Sequence, residues 1–326
     1  MNIEETVARQ RQFFMEGKTL SLSYRRDALA RLRQSILTHE ADINAALRAD
    51  LNKSPTESYM CEIGMTLSEL SYVQKHMSRW AKDRRVATPL AQFHAKSFTV
   101  KQPYGVALIM SPWNYPFMLT LDPLIGAIAA GNCCVVKPSA YSPATSAIIR
   151  TLVGECFPPE YVTVVEGGRA ENKALLDQEF DYIFFTGGVT VGKEVMEKAA
   201  RHLTPVTLEL GGKSPCIVDH TAKLDLAAKR LVFGKLLNCG QTCVAPDYLL
   251  IERSVKERFL ESVRKWITVM YGENALTNDG YVKMINQKHF DRVCGLIDPE
   301  KVVIGGASDP ASLKIQPTVM GKVTPG

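Results

Sequence analysis

No stretch of this 326-residue sequence reaches the ~18 uninterrupted apolar residues that a membrane-spanning helix requires. The longest candidate, LIGAIAAGNCCVV, is broken by Gly126, Gly131 and Asn132. The N-terminal MNIEETVARQRQFF lacks the apolar centre of a signal peptide. There is no Cys-x-x-Cys, and the six histidines (39, 76, 94, 202, 220 and 289) form no His-x-His or His-Glu-x-x-His pattern, so the sequence points to no metal centre. Complete GxGxxG and Walker A sequences are missing too. Charge of one sign is scarce, with 39 Lys and Arg against 34 Asp and Glu. The basic stretches YRRDALARLRQ (Tyr24 to Gln34) and RWAKDRRV (Arg79 to Val86) are short and mixed with acids. They read as solvated helix faces and a linker, so neither a nucleic-acid nor a membrane partner is expected.

Eight cysteines are present, at 61, 133, 134, 156, 216, 239, 243 and 294, several inside apolar runs such as GNCCVVKP and KSPCIVD. That is how buried free thiols look, and not the disulfide framework of a small secreted domain. The expectation is a reduced, cytoplasmic protein. A chain of this length exceeds one small core and predicts two domains or one large α/β unit.

Up to about residue 80 the apolar residues recur at helical spacing, as in RDALARLRQSILTHEADINAALRADL and SELSYVQKHMSRWAK. VATPLAQFHAKSFTVKQPYG then alternates and holds two prolines, which suits projecting extended strands. From Gly105 strand and helix patterns alternate. GVALIMS, CCVVKP, YVTVVEG, YIFFTGG and PVTLELGG are the strands. The helix after GVALIMS contains Pro123 and ends at Gly131; the next has Ser142 as its cap and Pro143 at its first position. Five short apolar strands with intervening helices predict a doubly wound parallel sheet. After Gly212 the pattern restarts with PCIVD, DLAAKRLVFGKLL, DYLLIE and a long helix, which predicts a second α/β domain.

Ligands of such sheets bind at the carboxyl ends of the strands. Those ends carry MSPWNYP, KPSA, FTGG and ELGGK. The glycines of FTGGVTVGK, at 187, 188 and 192, lie at a strand-to-helix turn that could meet a phosphate. Lys137 is either a surface residue or a ligand for a ribose or phosphate. Asn114 is either a turn residue or a donor to an oxyanion. Glu209, between Leu208 and Leu210, is expected to be buried and so to tend toward a general base. Of the two thiols in NCGQTCVAPDYLL, Cys239 reads as a packing residue ending an amphipathic helix. Cys243, beyond it in the loop, is the better nucleophile candidate.

Taken in order, PWN, KPS, FTGG…VGK, TLELGGKSP and GQTC resemble the NAD(P)-dependent aldehyde dehydrogenase superfamily, and HLTPVTLELGGKSPC with NCGQTCVAPDYLL is similar to its class 3 branch. The resemblance spans nearly the whole chain. It implies a Rossmann-like cofactor domain (N-terminal helices 1–81 and residues 104–209), an extended oligomerisation arm (82–103) and a partial catalytic domain (210–326). It makes Cys243 the nucleophile and Glu209 the general base, with Asn114 and the Cys243 backbone N–H as the oxyanion hole. Lys137 would bind the adenosine ribose; Trp113, Thr186, Gly187, Gly188, Gly192 and Leu210 would flank NAD or NADP. The substrate would be a medium-chain aliphatic or aromatic aldehyde and the assembly a homodimer. Family chains continue beyond residue 326 with a Glu-Ile-Phe-Gly-Pro-type segment, so the expectation is a truncated product with weak or no turnover. A nucleotide-binding subunit without turnover and a Cys-dependent esterase are the competing readings.

Many NAD-preferring relatives carry an acidic residue three places after the lysine; here that position is Ala140. Without that charge a 2′-phosphate is not repelled. The chain should accept NADP as well as NAD, and a strong NAD preference in steady-state kinetics would contradict this.

Overall fold

Helix formation starts at Asn2, whose side chain accepts from the Glu5 N–H (3.2 Å) and opens α1 (Ile3–Met15). Ser21 caps α2 (Leu22–Thr38) in the same way. Its apolar period places Ala28, Leu29, Leu32 and Ile36 on one fully buried stripe. The helices α3 (Glu40–Leu51), α4 (Pro55–Ser58) and α5 (Gly64–Trp80) follow, with a π-helical turn over Tyr59–Ile63 between the last two. An antiparallel hairpin of β1 (Arg84–Val86) and β2 (Ser97–Thr99) follows, its first strand beginning two residues ahead of the alternating stretch, in the segment expected to be a linker. Its Val86, Leu90, Phe93 and Phe98 side chains are exposed.

The computed structural model describes residues 2–324. Its next part is β3 (Val106–Met110), α6 (Met118–Ala130), β4 (Cys133–Lys137), α7 (Pro143–Cys156), β5 (Val162–Val164), α8 (Arg169–Leu176), β6 (Tyr182–Thr186), α9 (Val189–Ala200) and β7 (Val206–Glu209). The five strands are all parallel, in the order β5-β4-β3-β6-β7. Each lies where an apolar run placed it, so the expected α/β fold with a parallel sheet is present. Every residue of β3, β4 and β5 is buried, as a parallel sheet covered on both faces demands. Helix α6 accommodates Pro123. Gly131 ends it at φ +99°, a left-handed conformation that a β-carbon would penalise.

Two local expectations are corrected. Ser142 precedes Pro143 but makes no capping bond, because its backbone (φ −118°, ψ 68°) is not in the extended region an N-cap uses. Its hydroxyl donates instead to the Ser139 carbonyl (3.4 Å). Glu209 is exposed, not buried. β7 is an edge strand paired only with β6, and none of its residues is buried.

Contacts divide the chain into two units. One takes the chain up to Ile43 and then Tyr59–Glu209; the other takes Asn44–Ser58 and the described residues from Leu210 onward. In the second, β8 (Ser214–Val218) pairs in parallel with β9 (Pro246–Ile251). Helices α10 (Leu224–Leu236) and α11 (Lys256–Tyr271) share with them a core of Val218, Ala228, Val232, Phe259, Leu260, Val263 and Ile304. Helix α12 (Gln287–Cys294) and the short antiparallel pairs β10 (Val302–Ile304) with β13 (Val319–Met320) and β11 (Ser308–Asp309) with β12 (Lys314–Ile315) complete it. Among the described residues no helix is long and apolar enough to cross a membrane.

Asp122 of α6 is the uncomfortable group of the first unit. Burial, together with the charges of Glu69 and Glu62, raises its pKa from 3.8 to about 7, and Thr66 offsets part of the rise. The folded state thus favours the neutral acid. A raised pKa contributes stability below the unfolded value, and that stability is lost as pH rises through the folded one. Asp122→Asn should therefore leave the melting temperature nearly unchanged at about pH 4 and raise it by a few degrees at about pH 8. Thermal scans at both pH values check this; a lower melting temperature for the variant at the higher pH would contradict it.

Candidate active site

From β3 the chain builds β4 and β5 on one side of the sheet, then returns to place β6 and β7 on the other. The order reverses between β3 and β6, the position where open α/β sheets receive ligands beyond their carboxyl ends. Trp113 and Asn114 lie in the turn after β3 and are half-buried; the Asn114 side-chain oxygen is shut from solvent. The turn is held from two directions. Glu62, fully buried on the π-helical turn, accepts from the N–H groups of Phe117 (2.8 Å) and Met118 (3.2 Å). These are donors that a helix start leaves without intrahelical partners. The Thr120 hydroxyl bridges Ser111 Oγ (2.6 Å) and the Pro116 carbonyl (2.5 Å).

Lys137 ends β4 and is buried, so it is not the surface residue that one reading allowed. Its Nζ donates to the carbonyls of Pro138 (2.8 Å) and Gly167 (2.7 Å). Burial lowers its pKa, and Glu171 and Glu166 counteract the shift. At the end of β6, Thr186 Oγ1 is buried with no hydrogen-bond partner among the described residues, an orphan that such sites normally resolve with a ligand or water. A β-carbon on Gly187 would meet the Phe185 ring at 2.5 Å, whereas one on Gly188 would meet nothing within 4 Å. The Gly187 N–H is spent on the Glu209 carbonyl (3.0 Å) and the Gly192 N–H on the Gly188 carbonyl (2.9 Å). A phosphate would find neither of these amides; the donors left are those of the first turn of α9.

The first unit thus gathers Trp113, Asn114, Lys137, Thr186, Gly187, Gly188 and Glu209 at one end of one sheet, with Gly192 in the following helix. Leu210 and Cys243 belong to the second unit. There α10 stops at Leu236, three residues earlier than an amphipathic helix ending at Cys239 would require. Asn238 (φ 53°), Cys239 (φ 54°) and Gly240 (φ 76°) are all left-handed. The two thiols are in contrasting surroundings. Cys239 donates to the Tyr281 hydroxyl (3.3 Å), and burial pushes its pKa up to about 11. Cys243 is exposed. Of the six other thiols, burial also raises the pKa of Cys133, Cys134, Cys156 and Cys216.

Sequence reasoning did not single out Glu62, and no motif marks it. It noted Gly212 only as part of a strand-end turn. A β-carbon there would lie 2.7 Å from the Cys243 carbonyl oxygen, so glycine permits the close passage of the two backbones. Gly212→Ala should displace the Cys243 loop and change the rate at which iodoacetamide labels Cys243 by more than about threefold. Parallel thermal melts would check that the fold is kept, and an unchanged labelling rate would contradict the close passage.

The aldehyde dehydrogenase family model matches residues 1–326. The 4,4'-diaponeurosporen-aldehyde dehydrogenase of Staphylococcus aureus is 43% identical over 324 residues, covering 99% of this chain and 71% of that protein. The dimeric NADP-preferring aldehyde dehydrogenase of Canis lupus familiaris is 43% identical over 319 residues, covering 98% of this chain and 70% of that protein. The solved substrate-bound state of Staphylococcus aureus AldH superposes with a TM-score of 0.97 at 43% identity, covering 99% of this chain and 71% of that one. Exposed thiol, asparagine turn, buried lysine and glycine-lined sheet edge are therefore features of a chain that belongs to the aldehyde dehydrogenase family, whose members oxidise aldehydes with NAD or NADP.

Proposed function

We propose that this chain oxidises an aldehyde to a carboxylic acid through a covalent intermediate on Cys243. The observation that carries this reading is the contrast between Cys243, exposed at the end of a constrained loop, and the buried thiols of Cys61, Cys133, Cys134 and Cys156. The Cys243 thiolate attacks the aldehyde carbon, a C–S bond forms, and the carbonyl π pair becomes an oxyanion. The Asn114 side-chain N–H₂ and the Cys243 backbone N–H donate to that oxygen. Bound NAD(P)+ supplies the acceptor for the hydride. A thioester remains on Cys243. Glu209 takes a proton from water, which attacks the thioester and releases the acid and the thiolate. A solvent-exposed carboxylate suits that step, and its presence favours hydrolysis over transfer to coenzyme A.

Features of the first unit support dinucleotide binding. Two of the three Nζ–H groups of Lys137 serve backbone carbonyls, which aims the ammonium and leaves one for a ribose hydroxyl. The orphan Thr186 hydroxyl lies beside the strand-order reversal, and Gly188 leaves its flank open. Trp113, Gly187, Gly192 and Leu210 would flank the cofactor, and Ala140 admits a 2′-phosphate. Residues 1–81 and 104–209 then act as the cofactor domain and 210–326 as catalytic. The exposed apolar residues of the β1–β2 hairpin suit a homodimerisation arm.

Mixing the chain with NAD(P)+ and an aldehyde in a stopped-flow instrument should give a burst of one NAD(P)H per Cys243. Cys243→Ala should abolish the burst and Cys239→Ala should retain it. Cofactor binding with no burst in the unaltered chain would overturn catalysis in favour of a nucleotide-binding subunit. Ester cleavage that needs Cys243 but no cofactor would identify the esterase.

A further inference from the structure

We infer that Glu57 is a positioning residue for the Cys243 nucleophile: its carboxylate clamps the left-handed turn from which the Cys243 loop departs. The argument starts with the backbone. Asn238 (φ 53°, ψ 31°) and Cys239 (φ 54°, ψ 30°) precede Gly240 (φ 76°), so three successive residues are left-handed and two of them carry β-carbons. Asparagine enters that conformation more readily than other L-residues, but cysteine keeps it only where its surroundings over-determine it. Here the surroundings are specific. Glu57 Oε1 accepts from the buried Asn238 N–H at 2.7 Å, at the entrance of the turn. The Asn238 Nδ2 donates to the Gln241 carbonyl (3.2 Å), and Gln241 Nε2 returns a bond to the Asn238 carbonyl (3.2 Å). Gln241 then ties the loop to the following segment: its Nε2 donates to the Lys283 carbonyl (3.1 Å) and its Oε1 accepts from the Ile285 N–H (3.2 Å). Inside the turn, the Cys239 thiol donates to Tyr281, whose hydroxyl donates to the Ile315 carbonyl (3.0 Å).

The Glu57 bond stands apart in this set. It reaches a backbone donor across 181 positions of sequence, and it fixes the direction of the first left-handed residue. Glu57 is itself oriented on α4, where its N–H donates to Ser54 Oγ (3.2 Å). Without its carboxylate the Asn238 N–H is a buried donor that has lost an acceptor, and the chain relieves this by rotating toward right-handed angles. That rotation draws Cys239 away from Tyr281 and swings the Gln241–Cys243 segment. The proposal rests on Cys243 being the nucleophile for its catalytic meaning, but its structural core is read without turnover.

The test is differential alkylation of the full 326-residue chain with iodoacetamide, read by peptide mass spectrometry, for the wild type and for Glu57→Ala, Glu57→Gln and Glu57→Asp. Gln keeps the acceptor oxygen. Asp keeps the charge but withdraws the oxygen by about 1.5 Å. In Glu57→Ala and Glu57→Asp, Cys239 labelling should rise by at least about tenfold while the sheet thiols Cys133 and Cys134 stay protected. The NAD(P)H burst rate should fall by at least about tenfold in both, and Glu57→Gln should recover both readouts to within about threefold. Cys239 protection unchanged in Glu57→Asp overturns the proposal. So does a burst rate within twofold of wild type despite exposed Cys239. If Glu57→Ala labels Cys133 and Cys134 as well, it has unfolded, and the Asp and Gln variants decide. A wild type with no burst would refute the function proposed above and not the clamp, which the Cys239 and Cys243 labelling rates then settle.

Discussion

A parallel sheet must be covered on both faces, and from that constraint the rest of the first unit follows. Strands buried on both sides are apolar along their whole length, as β3, β4 and β5 are. Polar chemistry is thereby driven to the strand ends. Each crossover helix returns the chain to the same edge, so all the carboxyl ends collect there. Because β4 and β5 are laid on one side of β3 and β6 and β7 on the other, the helices part at one place and leave a crevice. Asn114, Lys137, Thr186 and the glycines are carried there by the strands that precede them.

The second unit solves a different problem. Its Cys243 thiol is exposed, and exposed loops are mobile unless something specific holds them. Here the constraint is backbone geometry. Three left-handed residues, a side-chain ladder through Gln241 and the passage of Cys243 over Gly212 leave the loop few alternatives. Cys239 is part of that brace, and its burial against Tyr281 keeps it protonated. The two cysteines of one short sequence thus differ in setting, Cys239 braced inside the turn and Cys243 exposed beyond it.

Much of this was legible in the sequence because apolar runs report burial directly. All five strands of the main sheet and the first two helices between them stand where periodicity placed them, whereas α8 and α9 each begin three residues ahead of the helical patterns at 172–179 and 192–203, and β1 lies mostly ahead of the alternating stretch. The distinction between Cys239 and Cys243 was also available from position. What stayed hidden depends on tertiary context. Glu209, flanked by leucines, looked buried, but the local pattern cannot say that its strand lies at an edge. Lys137 looked like any lysine at a strand end, and only the Pro138 and Gly167 carbonyls explain its burial. The end of α10 was misplaced because nothing in LLNCG announces that an asparagine and a cysteine will turn left-handed. The partner that holds them, Glu57, is remote in the chain.

The π-helical turn at Tyr59–Ile63 has a consequence for how this chain tolerates change. A π turn amounts to one residue inserted into an α-helix. Each inserted or deleted residue rotates every later position of a helix by about 100°. Glu57, ahead of the turn, serves Asn238 in one unit, and Glu62, within it, serves Phe117 and Met118 in the other. The turn therefore sets the direction of Glu62: a residue inserted or deleted just ahead of it in the helix would swing that carboxylate away from the Phe117 and Met118 backbone it holds.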